Sequence, residues 1–154
     1  VKLSHVDAQG RARMVDVGDK PVSDRTAVAQ GAVRMSREAY ELVAGQAIAK
    51  GDVLAVAEVA GVMAAKRTGE LIPLCHPLGL DHVQVDAALD PALPGVRVTA
   101  TTRVTGRTGV EMEALTAVAV ACLTVYDMAK AIDRGMIIED VKLVSKTKRP
   151  SHGS

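Results

Sequence analysis

The sequence predicts an α+β fold of the split βαβ, or ferredoxin-like, kind: a four-stranded antiparallel sheet with helices on one face. Three observations predict it. From Val28 onward, stretches of period two and stretches of helical period follow one another as strand, helix, helix, strand, strand, helix, strand. Two of the strands flank Asp90-Pro91-Ala92-Leu93-Pro94-Gly95, a turn that makes them an antiparallel hairpin. Residues 53–67 are apolar almost all round, so that helix must be buried. The chain has 154 residues. That is one domain by length, able to bury roughly two thirds of its unfolded surface.

The elements follow in order. Residues 1–27 mix Gly, Asp, Lys, Ser and Pro around one apolar patch, Met14-Val15-Asp16-Val17. They read as a short strand in a partly mobile N-terminal segment. Alternation from Val28 to Met35 predicts the first strand of the sheet. Ser36 can N-cap a helix from Arg37 to Ala44, which Gly45 ends. Asp52 can cap the next, from Val53 to about Arg67. His82 to Leu89 and Val96 to Val104 alternate as the hairpin strands. A long helix runs from Gly109 to about Ile132, with Thr108 and Glu111 at the spacing of a capping box. Met136 to about Lys146 is the last strand, alternating through Ile138, Val141, Leu143 and Val144. Residues 147–154 form a polar tail expected to fray.

Composition narrows the function. Hydrophobic residues make up 48% of the chain, yet it has no Phe, no Trp and only two Tyr. The core must be packed from Ala, Val, Leu, Ile and Met, so elements can approach closely. The formal net charge of +1 argues against nucleic acid as a general partner. An RNA-recognition domain of this topology stacks bases on sheet aromatics, and these strands carry none. Cys75 and Cys122 are far apart, which suits a reducing compartment and no disulfide framework. No 18-residue apolar run has the flanks of a membrane span, and the N-terminus lacks a signal-peptide core. The expectation is a soluble cytoplasmic protein with no membrane partner.

Two features carry chemistry. The first is Leu71-Ile72-Pro73-Leu74-Cys75-His76-Pro77-Leu78, a thiol beside an imidazole between two prolines. Proline fixes φ and restricts the residue before it. Leu74, Cys75 and His76 are therefore expected in a stiff, extended segment that suits a pocket wall. Alone, His76 would read as a satisfied core histidine and Cys75 as a small buried hydrophobe. No CxxC or HxxxH accompanies them, so no metal is expected. His5, His82 and His152 carry no signal.

The second feature is a stripe on the long helix. Thr116, Val120, Thr124 and Asp127 fall within roughly 60° of Glu113 at 100° per residue. Polar groups on a buried helix require partners. The capping box accounts for much of Glu111, and the helix dipole favours Glu113 in the first turn. Asp127 lies in the last turn, where the dipole disfavours an anion, and Lys130 is close enough to pair with it. Glu113 and Asp127 lie about 21 Å apart along the helix. A two-fold dimer packing this helix antiparallel to its copy would bring the two ends together, so the site is expected to be shared between subunits. Among basic residues, Lys50 and Lys66 abut buried helix ends, and Arg25, Arg103 and Arg107 recur beside turn signals. Lys2, Lys20 and Lys148 read as merely solvated. There is no Walker A loop. Any phosphate would be held by Lys and Arg side chains and by amides near Thr108-Gly109.

The chain resembles the cyclic pyranopterin monophosphate synthase family, the second-step enzymes of molybdenum cofactor biosynthesis. The resemblance rests on Lys66-Arg67-Thr68, on Leu71 to Leu78, on Thr108-Gly109-Val110-Glu111-Met112-Glu113-Ala114-Leu115-Thr116 and on Tyr126-Asp127-Met128 with Lys130. His5-Val6-Asp7 and Met14 to Val17 also fit. It implies a ferredoxin-like fold and a hexamer, a trimer of dimers, with sites at the dimer interface. It implies a small-molecule substrate, 3′,8-cyclo-7,8-dihydroguanosine 5′-triphosphate, rearranged to cyclic pyranopterin monophosphate with release of pyrophosphate. No organic cofactor and no redox step are implied. Leu74, Cys75, His76, Glu111, Met112 and Glu113 would bind substrate. Glu113 would meet the guanine amide and amine edge, and His76 the triphosphate or sugar. Arg25 and Lys66 would neutralise the pyrophosphate. Asp127, Lys50 and Lys130 would be catalytic, the lysines as proton carriers.

Overall fold

The computed structural model describes residues 6–151. Lys2, His5 and His152 lie outside the described residues. Small side chains at every second position make β1 (Ser23–Arg34) a two-faced strand, with Ala27, Ala29 and Gly31 buried on one side. It runs antiparallel between β3 (Gly95–Gly106) and β4 (Ile137–Pro150), and β2 (His82–Asp90) closes the hairpin with β3. The sheet order is β2-β3-β1-β4. The expected four-stranded antiparallel sheet is present.

Helices cover the face that carries Ala27, Ala29, Val98 and Ala100. α1 (Arg37–Ala44) starts at Ser36, whose side chain accepts from the Ala39 N–H as expected. α2 (Val53–Lys66) starts at Asp52, which accepts from the Ala55 N–H. α4 (Glu111–Ala129) lies on β1, β3 and β4 and packs along α2. That packing is close because the residues are small. A Cβ on Gly61 of α2 would sit 3.0 Å from the Ala117 carbonyl of α4. α4 is long and apolar enough to cross a membrane, but more than half of it is buried against the sheet and α2.

The structure departs from the expectations in several places. β1 begins at Ser23, not Val28. Ser23 and Arg25 are polar yet buried on the core face, so an apolar-alternation signal does not include them. Residues 147–150 do not fray as expected: they pair with Ser23 to Thr26. Met14 to Val17 form no strand; among the described residues before β1, Val6 and Ala12 pair in an isolated bridge. α2 is not buried all round, since Val56, Val59 and Met63 are exposed, Val59 at 60%. A one-turn helix, α3 (Thr68–Leu71), follows α2; the buried Thr68 hydroxyl donates to the Ala64 and Ala65 carbonyls at 3.2 and 3.0 Å and folds the chain over. Residues 72–75 then turn rather than extend, with the Cys75 N–H donating to the Ile72 carbonyl at 3.2 Å.

Candidate active site

The first turn of α4 is the floor of the site. Its N-cap is Val110, which offers no side-chain cap, and Thr108 does not form the expected capping box. Val110 is held from below instead: its carbonyl accepts the buried Thr102 hydroxyl at 3.0 Å. Glu111 folds back over the loop. A Cβ on Gly109 would lie only 2.1 Å from Glu111 Oε2, so the carboxylate fills the space that glycine leaves. Its Oε1 accepts from Lys146 Nζ of β4 at 3.5 Å, while Oε2 is buried with no partner.

Glu113 is 2% exposed, and its Oε1 is likewise buried with no partner. The Cys75 thiol lies 3.9 Å from the other carboxyl oxygen and 3.7 Å from the His76 carbonyl. Burial, chiefly, and the nearby Glu111 charge push the Glu113 carboxyl up to about 7; its own backbone N–H and the Cys75 thiol act in the opposite direction. Burial also raises the Cys75 thiol, with the Glu113 and Glu111 charges adding to it. Cys75 is therefore a hydrogen-bonding thiol rather than a ready thiolate.

A cavity of about 390 Å³ opens here, lined by Ile72, Leu74, Cys75, His76, Thr108, Gly109, Glu111 and Met112. Five residues singled out by sequence (Leu74, Cys75, His76, Glu111 and Met112) meet on its wall, with Glu113 behind. His76 Nε2 makes a short hydrogen bond to the Val15 carbonyl, so the N-terminal segment reaches this rim. Lys66, at the end of α2, shares an adjoining recess of about 180 Å³ with Glu113, Glu70 and Thr68. It also edges a cavity of about 490 Å³ between α2 and residues 78–83.

Arg25 lies in β1 rather than in a mobile segment. It is 8% exposed, and its guanidinium donates to the carbonyls of Gly106 and Arg107 at 3.1 and 3.3 Å. In this state it braces the loop that feeds α4.

The second cluster sits at the other end of α4. Asp127 lies between Lys50 Nζ at 2.9 Å and Lys130 Nζ at 3.0 Å. Lys50 also donates to the Asp127 carbonyl at 3.3 Å. Lys50 is presented by the turn before α2, where Gly51 adopts φ +118, and Lys130 caps α4. The Lys50 hydrogen bond first, then that of Lys130, holds the Asp127 carboxyl below the usual range. All three side chains are about half exposed. Between the two clusters the stripe is partly structural: the Thr124 hydroxyl donates back to the Val120 carbonyl at 2.8 Å.

One chain therefore holds two clusters, at opposite ends of α4, and does not join them. Two contributors escaped the sequence reading. Lys146 stands opposite Ala27 on the helix side of β4, a position its register reveals and its composition does not. Val15 enters through its carbonyl, which no side-chain pattern could mark. Among the described residues, no group of three or more His, Cys, Asp or Glu side chains could hold a metal ion.

A family model described as the MoaC family matches residues 14–149. The chain is 61% identical over 145 residues to a protein of Methylobacterium nodulans, covering 94% of this chain and 91% of that one. It is 59% identical over 144 residues to a protein of Cereibacter sphaeroides, with the same shares covered. For one from Dinoroseobacter shibae the identity is 57% over 144 residues, again with 94% and 91% covered. Each of these relatives is called a cyclic pyranopterin monophosphate synthase.

Proposed function

The chain belongs to the MoaC family, and from that premise we propose that its two half-sites close into one active site across a pair of subunits. Its activity is the formation of cyclic pyranopterin monophosphate, a step of molybdenum cofactor biosynthesis. The substrate is 3′,8-cyclo-7,8-dihydroguanosine 5′-triphosphate, and pyrophosphate is released. The observation that carries this reading is the cavity wall that unites Leu74, Cys75 and His76 with Glu111 and Met112 over the buried Glu113.

The reaction opens a purine ring, closes a pterin ring and makes a cyclic phosphate. Protons must move several times, so groups of opposite tendency are needed in one pocket. Glu113 holds its proton to near neutrality, whereas Asp127 stays ionised between two ammonium groups. Pairs of carboxyls with diverging environments mark division of labour. Asp127 orients Lys50 and Lys130 as proton carriers. Lys66 and His76 meet the phosphate chain, and Arg25 joins them if its guanidinium leaves the Gly106 and Arg107 carbonyls. Ring and base recognition falls to Leu74, Cys75, Met112, Glu111 and Glu113.

A two-fold axis that sets α4 antiparallel to its copy would place Asp127, Lys50 and Lys130 of one subunit beside the cavity of the other. Exposed apolar residues support assembly in more than one direction. Val56, Val59 and Met63 are exposed at helical spacing on α2, and Ile137, Val141, Leu143 and Val144 are exposed along the edge strand β4. Two interfaces of that kind suit a hexamer built as a trimer of dimers. The proposed location is the cytoplasm, whose reducing conditions suit two free cysteines. The test is incubation with the cyclised GTP derivative. Stoichiometric pyrophosphate and a fluorescent oxidised pterin are expected; substrate left intact would overturn the assignment.

A further inference from the structure

Glu111 and Glu113 stand two residues apart on the same turn, yet their surroundings differ. Glu111 has Lys146 on one oxygen, and its side chain is 33% exposed. Among the described residues, no cation pairs with Glu113. The charged and titratable groups on the neighbouring elements either serve other partners or make no ion pair with Glu113. On the 72–78 segment, Cys75 offers a thiol at 3.9 Å, and the His76 ring bonds the Val15 carbonyl. From α2 and α3, Lys66 and Glu70 line the shared recess without bonding to Glu113. Arg25 of β1 serves the Gly106 and Arg107 carbonyls, and Lys146 of β4 serves Glu111. An anion at Glu113 would therefore be buried beside a like charge with one oxygen unpartnered, which is costly.

We propose that Glu113 rests as a neutral carboxylic acid and gives up its proton when a ligand edge bearing two N–H donors enters the pocket, so that recognition of a guanine-type edge releases a proton. The inference rests on the pterin-forming reading, whose substrate carries an amide N–H beside an amino group. The proton passes to solvent, no bond to carbon breaks, and the carboxylate formed accepts both N–H groups. An edge presenting one donor beside an acceptor gives the acid no reason to ionise. Glu113 thus makes base selection depend on pH. Below about pH 7, where the acid prevails in the empty pocket, affinity for the guanine-type edge rises about tenfold per pH unit.

The test has two arms. In the ligand-free protein with 13C at the glutamate side-chain carboxyl carbons, one resonance should titrate near neutrality and be missing in Glu113→Gln. If every glutamate titrates in the ordinary range, the proposal is overturned. In the second arm, the cyclised GTP derivative is bound calorimetrically to the Lys50→Ala protein in phosphate and in Tris at about pH 6.5. Heats that differ by the buffers' ionisation heats, for about half a proton or more per site, are expected, and Glu113→Gln should abolish the difference. Wild-type turnover is measured in parallel. Product formation with buffer-independent heats overturns the coupling alone. Absence of product overturns the functional reading and this inference with it, even if Glu113 titrates as expected.

Discussion

Glu113 is a carboxyl that folding carries away from water, and that has a cost with a definite sign. Its ordinary value of 4.5 rises to about 7 in the folded protein. Between those values the folded chain binds more protons than the unfolded chain, so stability falls as pH rises and levels off above 7. The loss is at most about 3 kcal/mol for a shift of that size. Glu113→Gln should therefore raise the melting temperature above pH 7 and leave it nearly unchanged near pH 4. A pH series of thermal melts checks this; a destabilised variant at pH 8 would refute it. The same substitution removes a negative charge from beside Cys75, whose thiol Glu113 helps to keep protonated. Alkylation of Cys75 by iodoacetamide at pH 8 should be slow in the wild type and several-fold faster in Glu113→Gln. Asp127 behaves in the opposite way. Its carboxyl is held low, so it is ionised at working pH and loses its two lysine contacts only as acid protonates it. These contacts are half exposed, so Asp127→Asn should leave the melting temperature almost unchanged while turnover is lost.

At the scale of elements, α4 is a rod whose ends have different duties. Its start is held open by Gly109, and the Glu111 carboxylate occupies the vacant Cβ position. Gly109→Ala should push that flexible side chain away and break its contact with Lys146. Activity should drop tenfold or more while the helix stays folded, as steady-state kinetics and circular dichroism would show together. Glu111→Gln belongs to the same class. With no capping box, it should impair turnover rather than melt the helix start. Gly61→Val is the reverse case. It drives a branched side chain between α2 and α4, where even a Cβ would meet the Ala117 carbonyl at 3.0 Å and Val85 methyls at 3.0 and 3.1 Å. Overpacking there should cost about 1–3 kcal/mol in urea unfolding. The Ser36 and Asp52 caps were legible because a cap is a local arrangement of few residues. The start of β1 was not, because Ser23 and Arg25 are held by strands on both sides rather than by their own apolarity.

At the scale of the whole molecule, the two clusters lie at opposite ends of one helix, and the proposed second subunit would join them. Asp127→Ala and Glu113→Gln proteins, each inactive alone, should regain activity when unfolded together and refolded as mixed oligomers. One of two sites in each mixed dimer would be intact, so a random mixture should recover roughly a quarter of wild-type turnover. No recovery, with mixed oligomers demonstrated, would place both clusters in one subunit's site. A fully active monomer in dilute solution would do the same.

What the sequence by itself determined is whatever depends on short-range pattern. The strand and helix order, the hairpin, two helix caps, the Asp127–Lys130 pair and the motif residues around Cys75 and Glu113 all follow from spacing within one or two turns. Tertiary structure decided which of those groups are dry and which find a partner. Lys50 reaches Asp127 across 77 residues of chain, Lys146 reaches Glu111 by strand register, and Glu113 keeps its proton because several elements together exclude water from it. Desolvation is a sum over everything packed around a group, and no local stretch of residues contains that sum.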